Sequence, residues 1–449
     1  MDKTAIERLS ASVPRYTSYP TAPHFSADVG PDGYARWLAA VPMDAGISLY
    51  VHVPYCDRLC WFCACATKQT RRYEPVSRYL RSLEAEIATI SGHLAGRGRV
   101  TALHFGGGSP TMLKADDIVA LADTLKRHFI FAGDAEISVE IDPNDMDGDR
   151  HRALAEIGMT RASLGVQDFD DRVQRAINRI QTFDQTREVV EAVRAAGAAS
   201  VNIDLLYGLP LQSVASVEAT LAKVVTLSPD RIALFGYAHV PWMKKHQTMI
   251  DEAALPDIAE RFAQAGRAAG LLREAGYQAV GIDHFARPDD SMARAAREGR
   301  LKRNFQGYTT DGADVMIGLG ASSIGRLPQG YVQNMPATGG YQRMVDEGGL
   351  ATVRGAELSE EDRMRARIIE QLMCSFAFSA SGLVAEFGDR AMPLVAEARR
   401  MAVTDREALV KATADGFTIT AAGRPFTRLI ASRFDSYFGN GPARHSTAV

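Results

Sequence analysis

Short β-rich runs alternate with longer helical patterns from about residue 45 to residue 285, and this alternation restricts the fold more than any other feature of the chain. The candidate strands are Ile47 to Val53, Val100 to Phe105, Glu136 to Ile141, Arg161 to Val166, Ser200 to Tyr207 and Arg231 to Tyr237. Amphipathic stretches separate them: Val76 to Leu94, Ala115 to His128, Thr182 to Ala196 and Ser213 to Thr226. Because every parallel connection needs a crossover, the alternation predicts a parallel sheet covered by helices. The pattern leaves open whether the sheet is doubly wound or a full or partial barrel, but in either case chemistry collects at the carboxyl ends of the strands.

The segments on either side of this region have a different character. Residues 1–44 form a polar arm with little periodicity, which we expect to lie against the main domain. After about residue 350 helical patterns dominate, at Ser359 to Phe376, Ala391 to Val403 and Thr427 to Phe438, with a hairpin from Ala408 to Ile419. We therefore predict an N-terminal arm at 1–44, a β/α domain with an extension at 45–350 and a small, mostly helical C-terminal domain at 351–449, whose tail from Gly439 to Val449 is disordered.

Charge and hydropathy exclude several classes of partner. The 449 residues carry a formal net charge of −3, and the hairpin near the C-terminus has no basic helix beside it, so nucleic acid is not an expected partner. The N-terminus has no apolar stretch after a basic start, and no segment approaches the roughly 18 apolar residues that a membrane span needs. We expect a cytoplasmic monomer that does not bind membranes.

Four of the five cysteines fall within ten residues, in Tyr50-Val-His-Val-Pro-Tyr-Cys56-Asp-Arg-Leu-Cys60-Trp-Phe-Cys63-Ala-Cys65, where the first candidate strand ends. In a reducing compartment clustered thiols are metal ligands or redox groups more often than disulfides, and this set suits an iron–sulfur cluster or zinc. Structural zinc sites usually draw their ligands from two separated knuckles, which favours the cluster. Cys374 lies in an apolar helical stripe and is predicted to be a buried, inert thiol.

The spacing Cys-x3-Cys-x2-Cys resembles the signature of the radical S-adenosylmethionine superfamily. A glycine loop, His104-Phe-Gly-Gly-Gly-Ser-Pro-Thr111, follows the second candidate strand and resembles the loop that grips the amino end of S-adenosylmethionine there. The resemblance implies that three cysteines bind three irons of one 4Fe-4S cluster, while the open iron chelates the methionine moiety. One electron then cleaves the sulfonium to a 5′-deoxyadenosyl radical.

The resemblance narrows to the oxygen-independent coproporphyrinogen III oxidases (dehydrogenases) of haem biosynthesis, and it extends over nearly the whole chain. Besides the cysteine run and the glycine loop, the matching stretches are Pro14 to Thr21, Tyr50 to Pro54, Glu136 to Pro143, Gly165 to Phe169, Asn202 to Pro210, Phe235 to His239, Asp283 to Asp290 and Asn304 to Thr309. The fold that this family implies is an α/β partial (β/α)6 barrel with an N-terminal arm and a mostly helical C-terminal domain. The implied activity is oxidative decarboxylation of two propionates of coproporphyrinogen III to vinyl groups, which gives protoporphyrinogen IX. A flavodoxin- or ferredoxin-like protein is the implied electron donor.

The family's functional positions fall on identifiable residues of this chain. Cys56, Cys60 and Cys63 match the cluster ligands, and Cys65 matches a cysteine that does not ligate. Two molecules of S-adenosylmethionine are implied. The first is contacted by Tyr50, Gly107, Glu140 and Ile324, and the second by Phe62, Gly108, Ser109, Gln167, Arg179, Asp204 and Ala238. Tyr50, Glu140, Gln306 and Ile324 are the expected catalytic positions.

Chemistry gives these residue types reasons. A carboxylate such as Glu140 accepts two hydrogen bonds from a ribose, whereas Asp204 and Arg179 suit the charged amino-acid end of a ligand, Arg179 through a bidentate grip on a carboxylate. Most of the strand histidines, which are His52, His104, His239 and His284, are expected to be interior side chains with partners. Arg15, Arg287 and Arg303, with His284, are hypothetical partners for the propionates of the substrate.

Two rival functions belong to related proteins. One is a haem-binding chaperone, whose members generally have an aromatic residue at the position of Cys65 and lack the stretch Pro14 to Thr21. The other is a radical S-adenosylmethionine enzyme that acts on haem itself. The presence of Cys65 and of the arm favours the oxidase over the chaperone.

Overall fold

A twelve-stranded sheet forms the centre of the computed structural model, which describes residues 3–439. Its strands are β1 (Gly46–Val53), β2 (Arg99–Gly107), β3 (Phe131–Ile141), β4 (Arg161–Gln167), β5 (Ser200–Tyr207), β6 (Arg231–Gly236), β7 (Gln278–Val280), β8 (His284–Ala286), β9 (Val315–Leu319), β10 (Ile324–Leu327), β11 (Gly330–Asn334) and β12 (Thr352–Glu357). Their spatial order is β12-β11-β10-β9-β1-β2-β3-β4-β5-β6-β8-β7. The strands from β9 through β6 in that order are parallel, and the outer ones are antiparallel.

Each of the first six strands is followed by at least one helix that returns the chain to the next strand. The helices within residues 3–439 are α1 (Lys3–Leu9), α2 (Pro31–Ala39), α3 (Glu74–Leu94), α4 (Ala115–His128), α5 (Gly148–Glu156), α6 (Asp171–Ala176), α7 (Phe183–Ala195), α8 (Val214–Thr226), α9 (Ile258–Glu274), α10 (Ser291–Arg297), α11 (Thr338–Asp346), α12 (Glu360–Ser375), α13 (Ala380–Phe387), α14 (Met392–Thr404) and α15 (Thr427–Ala431). Leu49, Val51 and Val53 of β1 are completely buried, as expected where helices cover a parallel sheet. The predicted α/β class with six β/α units is confirmed, and the run of strands ends at β12 and β7 as in an open, partial barrel.

The predicted elements of the barrel agree closely with those observed. The helix predicted from Ala115 to His128 has those bounds, and β5 likewise begins and ends where the sequence places it. Beyond residue 350 the sheet continues, because β12 pairs with β11 and adds an edge strand. The predicted division at residue 350 thus falls just before an edge strand of the sheet.

The helix predicted from Thr427 to Phe438 is wrong in its length. Helix α15 ends at Ala431, and a single 3-10 turn, Ser432–Phe434, follows it. At Asp435 the backbone becomes extended, which lets its carboxylate accept a hydrogen bond from the Tyr437 amide at 2.9 Å and one from the Tyr16 hydroxyl at 3.0 Å. A tertiary contact with the arm thus takes the place of further helical turns.

The N-terminal arm contacts two different parts of the molecule. Helix α2 packs against the core of the barrel through Trp37 and Leu38, as predicted for the arm as a whole. The segment before α2 differs from that prediction, because Val13, Tyr16 and Tyr19 belong to the hydrophobic core of the C-terminal region. The periodicity of the sequence does not reveal this, since these apolar residues follow neither a helical nor a strand repeat.

The C-terminal region is helical, as predicted, and its predicted hairpin is present. Strands Val410–Thr413 and Gly416–Ile419 form the hairpin, and Ala377–Ser379 adds a third strand. Cys374 is buried, as predicted. The predicted tail lies outside the described residues except for Gly439. Within residues 3–439 no helix has both the length and the apolar character needed to cross a membrane.

Candidate active site

A cavity of about 170 Å³ lies at the carboxyl ends of the central parallel strands, beside the loop that follows β1. Its lining contains ten of the residues predicted from the sequence: Cys56, Cys60, Phe62, Cys63, Gly107, Gly108, Glu140, Gln167, Arg179 and Asp204. Residues that are distant along the chain meet there because parallel strands all present their carboxyl ends at one edge of the sheet.

The cysteine loop is held in place by hydrogen bonds to its backbone from two other segments. Beside α6, the Trp61 amide donates to the Ile177 carbonyl at 2.9 Å, and the Asn178 side chain donates to the Leu59 carbonyl at 2.9 Å. These hydrogen bonds hold the loop by its backbone and involve none of its thiols.

A second anchor comes from the segment after β6. The His246 ring donates to the Cys63 carbonyl at 2.7 Å, Gln247 donates to the Phe62 carbonyl at 2.9 Å, and Lys244 donates to the Cys65 carbonyl at 2.7 Å. The Gln247 amide also donates to the Ala238 carbonyl at 3.1 Å, which brings the predicted ligand contact Ala238 next to the loop.

All four loop thiols have neighbours that affect their ionisation. The Cys65 amide donates to the Cys63 sulfur at 3.4 Å. Hydrogen bonding from the Cys65 thiol, with that from the amide and against the opposing effect of burial, lowers the pKa of Cys63 to about 7. Because the Cys65 thiol donates its proton in that bond, the pKa of Cys65 is raised well above its ordinary value. Burial raises the pKa of Cys60, an effect that the Arg179 guanidinium 3.7 Å away opposes. Cys65 therefore acts on Cys63, a role that the sequence did not reveal.

Arg179 is buried and forms a fork with the carboxylate of Asp142. Its Nη1 lies 3.1 Å from Asp142 Oδ2 and its Nη2 lies 3.2 Å from Asp142 Oδ1. The same Nη2 donates to the carbonyl of Gly165 at 2.5 Å and to the side chain of Gln181 at 3.0 Å. The bidentate grip predicted for a ligand's carboxylate is thus made with Asp142, and this pair connects β3 to the cysteine loop through Cys60.

The three glycines at the end of β2 lie too close to neighbouring atoms to carry a side chain. A Cβ on Gly108 would lie 2.5 Å from the Tyr55 carbonyl oxygen and 2.6 Å from Thr67 Oγ1, and one on Gly106 would lie 2.8 Å from Glu140 Oε1. Only glycine fits so close to backbone and carboxylate, and the amides of the loop are paired inside the protein, Gly107 with Glu140 and Gly108 with the Val53 carbonyl.

Glu140 reaches the cavity from the end of β3. Its Oε1 accepts from His104 Nε2 at 3.1 Å and its Oε2 accepts from the Gly107 amide at 3.1 Å, while 40% of the side-chain surface stays exposed. Burial acts to raise the pKa of Glu140, but the hydrogen bonds from His104 and Gly107 outweigh it and hold this pKa below its ordinary value. Glu140 is therefore an ionised acceptor that can accept further hydrogen bonds from a ligand.

Asp204 continues the polar row that Glu140 begins on β3. Glu140, Ser163 and Asn202 are paired in register on β3, β4 and β5, and Asp204 follows Asn202 two positions later on the same face. Asn202 and Ser163 donate to its carboxylate at 2.7 and 3.1 Å. Burial, aided by the negative charge of Glu140, raises the pKa of Asp204 to about 6 against these hydrogen bonds.

Tyr50 lies behind the cavity wall, where His52 and His104 hold it. His52 donates from Nε2 to the Ala66 carbonyl at 2.8 Å, so its Nδ1 is free to accept from the Tyr50 hydroxyl at 3.0 Å. The Tyr50 ring stacks on His104 with centroids 5.7 Å apart. Both histidines have partners inside the protein, as predicted, and so do His239 and His284.

Four other predicted residues do not line this cavity. The Ser109 hydroxyl is buried and hydrogen-bonds Asp145; Ala238 adjoins the loop through Gln247, as described above. Ile324 begins β10 beside Gly318, the residue that pairs with Tyr50. Gln306 is exposed at the turn of a hairpin formed by strands Lys302–Asn304 and Gly307–Thr309.

Gln167 has a backbone conformation that the sequence did not predict. Its φ of 69° lies in the left-handed region, directly after an irregularity in the pairing of β4 with β5. Non-glycine residues rarely adopt this conformation, and they cluster at functional sites when they do. The bend turns Gln167 into the cavity lining.

Two of the three arginines considered for an anionic substrate lie together. Arg15 donates to the Gly236 carbonyl at 3.0 Å, at the carboxyl end of β6, and Arg303 donates to the carbonyls of Tyr16 and Arg15 at 3.2 and 3.3 Å. Burial lowers the pKa of Arg15 to about 10, helped by the nearby positive charge of Arg428. Desolvated cations of this kind favour a bound anion.

The structure contradicts the hypothesis that the third arginine, Arg287, binds the propionates of the substrate. Its amide donates to the Asp230 carbonyl and its side chain donates to the Pro229 carbonyl at 3.2 Å, so it lies where β6 begins. The physical reason is that β8 runs antiparallel to β6, which returns the chain to the end of the sheet opposite the cavity.

The site fits an iron–sulfur cluster and S-adenosylmethionine by the chemistry of its donors. Three thiols on one anchored loop supply soft ligands, and the adjoining glycines supply a cradle that a Cβ would fill. The ionised Glu140 and the carboxylate of Asp204 supply acceptors for hydroxyl and ammonium groups on the opposite wall.

Asp142 is the most important residue that the sequence reasoning missed. It lies between Glu140 and Pro143 in a stretch already recognised as similar to the family, so its position was a usable signal. Thr67, whose hydroxyl is 3.2 Å from the sulfur of Cys56, was also missed, and no sequence pattern points to it.

Comparisons with known proteins agree with this geometry. The model of the radical SAM superfamily matches residues 50–224. An oxygen-independent coproporphyrinogen III oxidase of Paracoccus denitrificans is 48% identical over 100% of this chain and 99% of its own length, and the enzyme of that name from Escherichia coli is 40% identical over 97% and 95%. The solved structure of coproporphyrinogen III oxidase (HemN) from Escherichia coli, a radical SAM enzyme, has a TM-score of 0.91 at 39% identity and covers 97% of this chain and 99% of that one.

Proposed function

The chain belongs to the family of oxygen-independent coproporphyrinogen III oxidases, which are radical SAM enzymes, and we propose that its cavity is where two propionates of coproporphyrinogen III are decarboxylated to vinyl groups to give protoporphyrinogen IX. The observation that carries this proposal is the meeting of Cys56, Cys60 and Cys63 with Glu140 and Asp204 around one cavity. The names of the relatives support this oxidase activity, and none of those compared above is named as a haem carrier or as an enzyme acting on haem.

Cys56, Cys60 and Cys63 would hold a 4Fe-4S cluster. When bound, this cluster and S-adenosylmethionine supply a single electron and a radical able to take hydrogen from carbon. Arg179 opposes the cost of ionising Cys60, and Cys65 does the same for Cys63. These two residues position and ionise the ligands and do not themselves ligate.

The other predicted residues have roles in binding and orientation. Glu140 would accept the hydroxyl hydrogen bonds of a ribose, because its carboxylate is ionised and partly exposed. Gly107, Tyr50 and Ile324 would complete the first S-adenosylmethionine site. The second would use Phe62, Gly108, Ser109, Gln167, Ala238 and Asp204, with Arg179 acting through Asp142, and Gln306 would approach the substrate from the hairpin.

A single turnover without oxygen tests the proposal. Reduced protein reconstituted with iron and sulfide is mixed with S-adenosylmethionine and coproporphyrinogen III, and the expected products are protoporphyrinogen IX, carbon dioxide and cleaved S-adenosylmethionine. The Cys63→Ala protein, which lacks one ligand, is expected to form none of them. Stable haem binding or opening of a haem ring by the wild-type protein, without any protoporphyrinogen, would overturn the proposal.

The electron donor is expected to be an acidic flavodoxin- or ferredoxin-like protein that docks beside the cysteine loop. The segment that anchors this loop exposes Trp242 and Met243 together with the positive charge of Lys245. Apolar side chains ringed by positive charge suit an acidic partner. We expect Lys245→Glu to slow turnover driven by reduced flavodoxin and to leave turnover driven by dithionite unchanged, and equal rates with flavodoxin would contradict this docking surface. We also propose that the enzyme is monomeric and cytoplasmic and has no nucleic-acid partner.

A further inference from the structure

A second and larger cavity, of about 520 Å³, lies apart from the cysteine loop. Its walls come from five segments: the arm residues Tyr16 to Tyr19, the hairpin from 302 to 309, the strands β9 to β11, helix α12 and the end of helix α13. Its volume falls within the roughly 300–1,000 Å³ typical of sites for small organic ligands. The arm stretch that distinguishes this chain from the chaperone relatives therefore forms one wall of a cavity whose lining differs from that of the cofactor cavity.

Part of this cavity lies toward the end of the sheet where β1 and β9 begin. Asp314 and Met316, at the start of β9, line it, and Met316 pairs with Arg326, which lines it too. Because β9 runs parallel to β1, the start of β9 lies at the edge where β1 begins and the cysteine loop follows the other end of β1. This cavity and the cofactor cavity have no lining residue in common.

Two buried polar atoms at the wall have no hydrogen-bond partner within the described part of the chain. One is the hydroxyl of Ser18, a residue that is 8% exposed, and the other is Nη1 of Arg303. The other guanidinium nitrogens of Arg303 are fixed by the Tyr16 and Arg15 carbonyls, and the group lies 4.5 Å above the ring of Tyr308. Buried donors are normally satisfied, and both residues line the cavity, so a bound hydrogen-bond acceptor would account for these two unpaired atoms.

Charge and aromatic surface define that ligand further. The lining has five basic side chains, Lys302, Arg303, Arg326, Arg363 and Arg367, against the three acidic side chains Asp314, Glu370 and Glu386. Arg367 pairs with both glutamates, whereas Lys302 and Arg326 have no ion-pair partner among residues 3–439. The aromatic rings of Phe305 and Tyr331 meet edge to face in the same wall, with centroids 5.7 Å apart. The lining suits an apolar ring system that carries carboxylates.

We propose that this cavity is a second binding site for a carboxylate-bearing tetrapyrrole, outside the cofactor cavity. The ligand class rests on the proposed function, since the substrate and product of that reaction are the tetrapyrrole carboxylates that the enzyme meets. Ser18 and Arg303 bind one carboxylate, and Arg326 and Arg363 neutralise the others. The occupant is substrate awaiting reaction or product awaiting release, and the two differ in carboxylate number.

Fluorescence titration of the full-length protein with its cluster tests the site. The probes are coproporphyrin III, with four carboxylates, protoporphyrin IX, with two, and the tetramethyl ester of coproporphyrin III. We expect both acids to bind and the ester to bind at least about tenfold more weakly, because it carries no charge. Tighter binding of the four-carboxylate probe assigns the site to substrate, and tighter binding of the two-carboxylate probe assigns it to product.

Variants locate the binding in this cavity. Arg326→Glu combined with Arg363→Glu is expected to weaken coproporphyrin III binding about tenfold or more, whereas the matched pair Arg81→Glu and Arg273→Glu, on exposed faces of α3 and α9, leaves it unchanged. Equal affinity of the ester and the acid, or of the cavity variant and its control, would overturn the proposal. If the cavity variant does not fold, the stoichiometry decides instead: two coproporphyrin III molecules bound per chain support the second site, and a single one would overturn it. Porphyrin binding without any turnover would contradict the proposed function and leave this site standing.

Discussion

Arg179 and Asp142 meet through two parallel N–H···O contacts of 3.1 and 3.2 Å, and the same guanidinium lies 3.7 Å from the sulfur of Cys60. One buried cation thus neutralises a carboxylate from β3 and supports a thiolate of the cysteine loop. We predict that Arg179→Met lowers the iron content of the reconstituted protein. The free energy of unfolding should fall toward the lower end of the roughly 3–5 kcal/mol typical of a broken buried pair, since Arg58 remains 3.6 Å from Asp142.

Iron analysis and chemical denaturation of the cluster-free chain measure the two effects separately. The control is Arg172→Met, which removes an exposed arginine paired with Asp170 and should cost about 0–1 kcal/mol. Full iron content and unchanged stability in the Arg179 variant would show that the pair supports neither the loop nor the fold.

Cys65 is predicted to be dispensable for holding iron. Its amide donates to the sulfur of Cys63, and this backbone contact survives any change of side chain. In Cys65→Ala we therefore expect the full cluster, with an altered reduction potential because a thiol donor next to Cys63 has been removed. Cys63→Ala should lose the cluster. Electron paramagnetic resonance during a redox titration compares the variants, and loss of iron from the Cys65 variant would make it a ligand after all.

Asp204 should make the affinity for S-adenosylmethionine depend on pH. Burial raises the pKa of Asp204 to about 6 in the empty site. A ligand's ammonium group binds the ionised carboxylate, so binding below this pKa releases a proton and the affinity should rise by up to about tenfold per pH unit until about pH 6, then level off. Glu140, whose pKa lies below its ordinary value, stays ionised throughout.

Isothermal titration between pH 5 and 7.5 measures this dependence. In Asp204→Asn the affinity should be low and flat with pH. His284, the other charged neighbour of Asp204, provides the control His284→Asn. A pH profile that persists in the Asp204 variant would assign the titration to another group.

The glycine loop should tolerate no methyl group at Gly108. An alanine Cβ there would lie 2.5 Å from the carbonyl oxygen of Tyr55, and backbone atoms at that position cannot move away cheaply. We expect Gly108→Ala to bind S-adenosylmethionine at least about tenfold more weakly, as 1.4 kcal/mol of strain suffices for that factor. Gly92→Ala is the matched control, since the space beside Gly92 in α3 is open, and it should stabilise the fold by about 0.5–1 kcal/mol. Equal binding by the two variants would remove the close approach as an explanation for the glycine.

The sequence predicts the barrel well because each of its elements is determined locally. Strands such as β5 and helices such as α4 carry their own hydrophobic period, and the bounds agree with the structure. The cysteine spacing is equally local, and the resemblance built on it led to ten residues that meet in one cavity.

What the sequence did not predict depends on contacts between distant segments. Asp142 became visible as a site residue only through Arg179, and the role of Cys65 only through the geometry of its contact with Cys63. The hypothesis for Arg287 failed because the direction of β8 cannot be read from three residues of strand. Gln167 adopts a left-handed conformation, which the sequence does not predict because the residue is neither glycine nor asparagine.

The contact between Tyr16 and Asp435 joins positions that are 419 residues apart, and this has a consequence for biosynthesis. A ribosome that adds about 5–20 residues per second needs roughly 20–80 seconds between these two residues. For most of that interval Val13, Tyr16 and Tyr19 lack the hydrophobic core that receives them, because the buried residues of this core outside the arm begin only at Met364. The nascent barrel therefore emerges with its first apolar segment exposed to chaperones and proteases, and the tetrapyrrole cavity acquires its arm wall only after nearly the whole chain has been made.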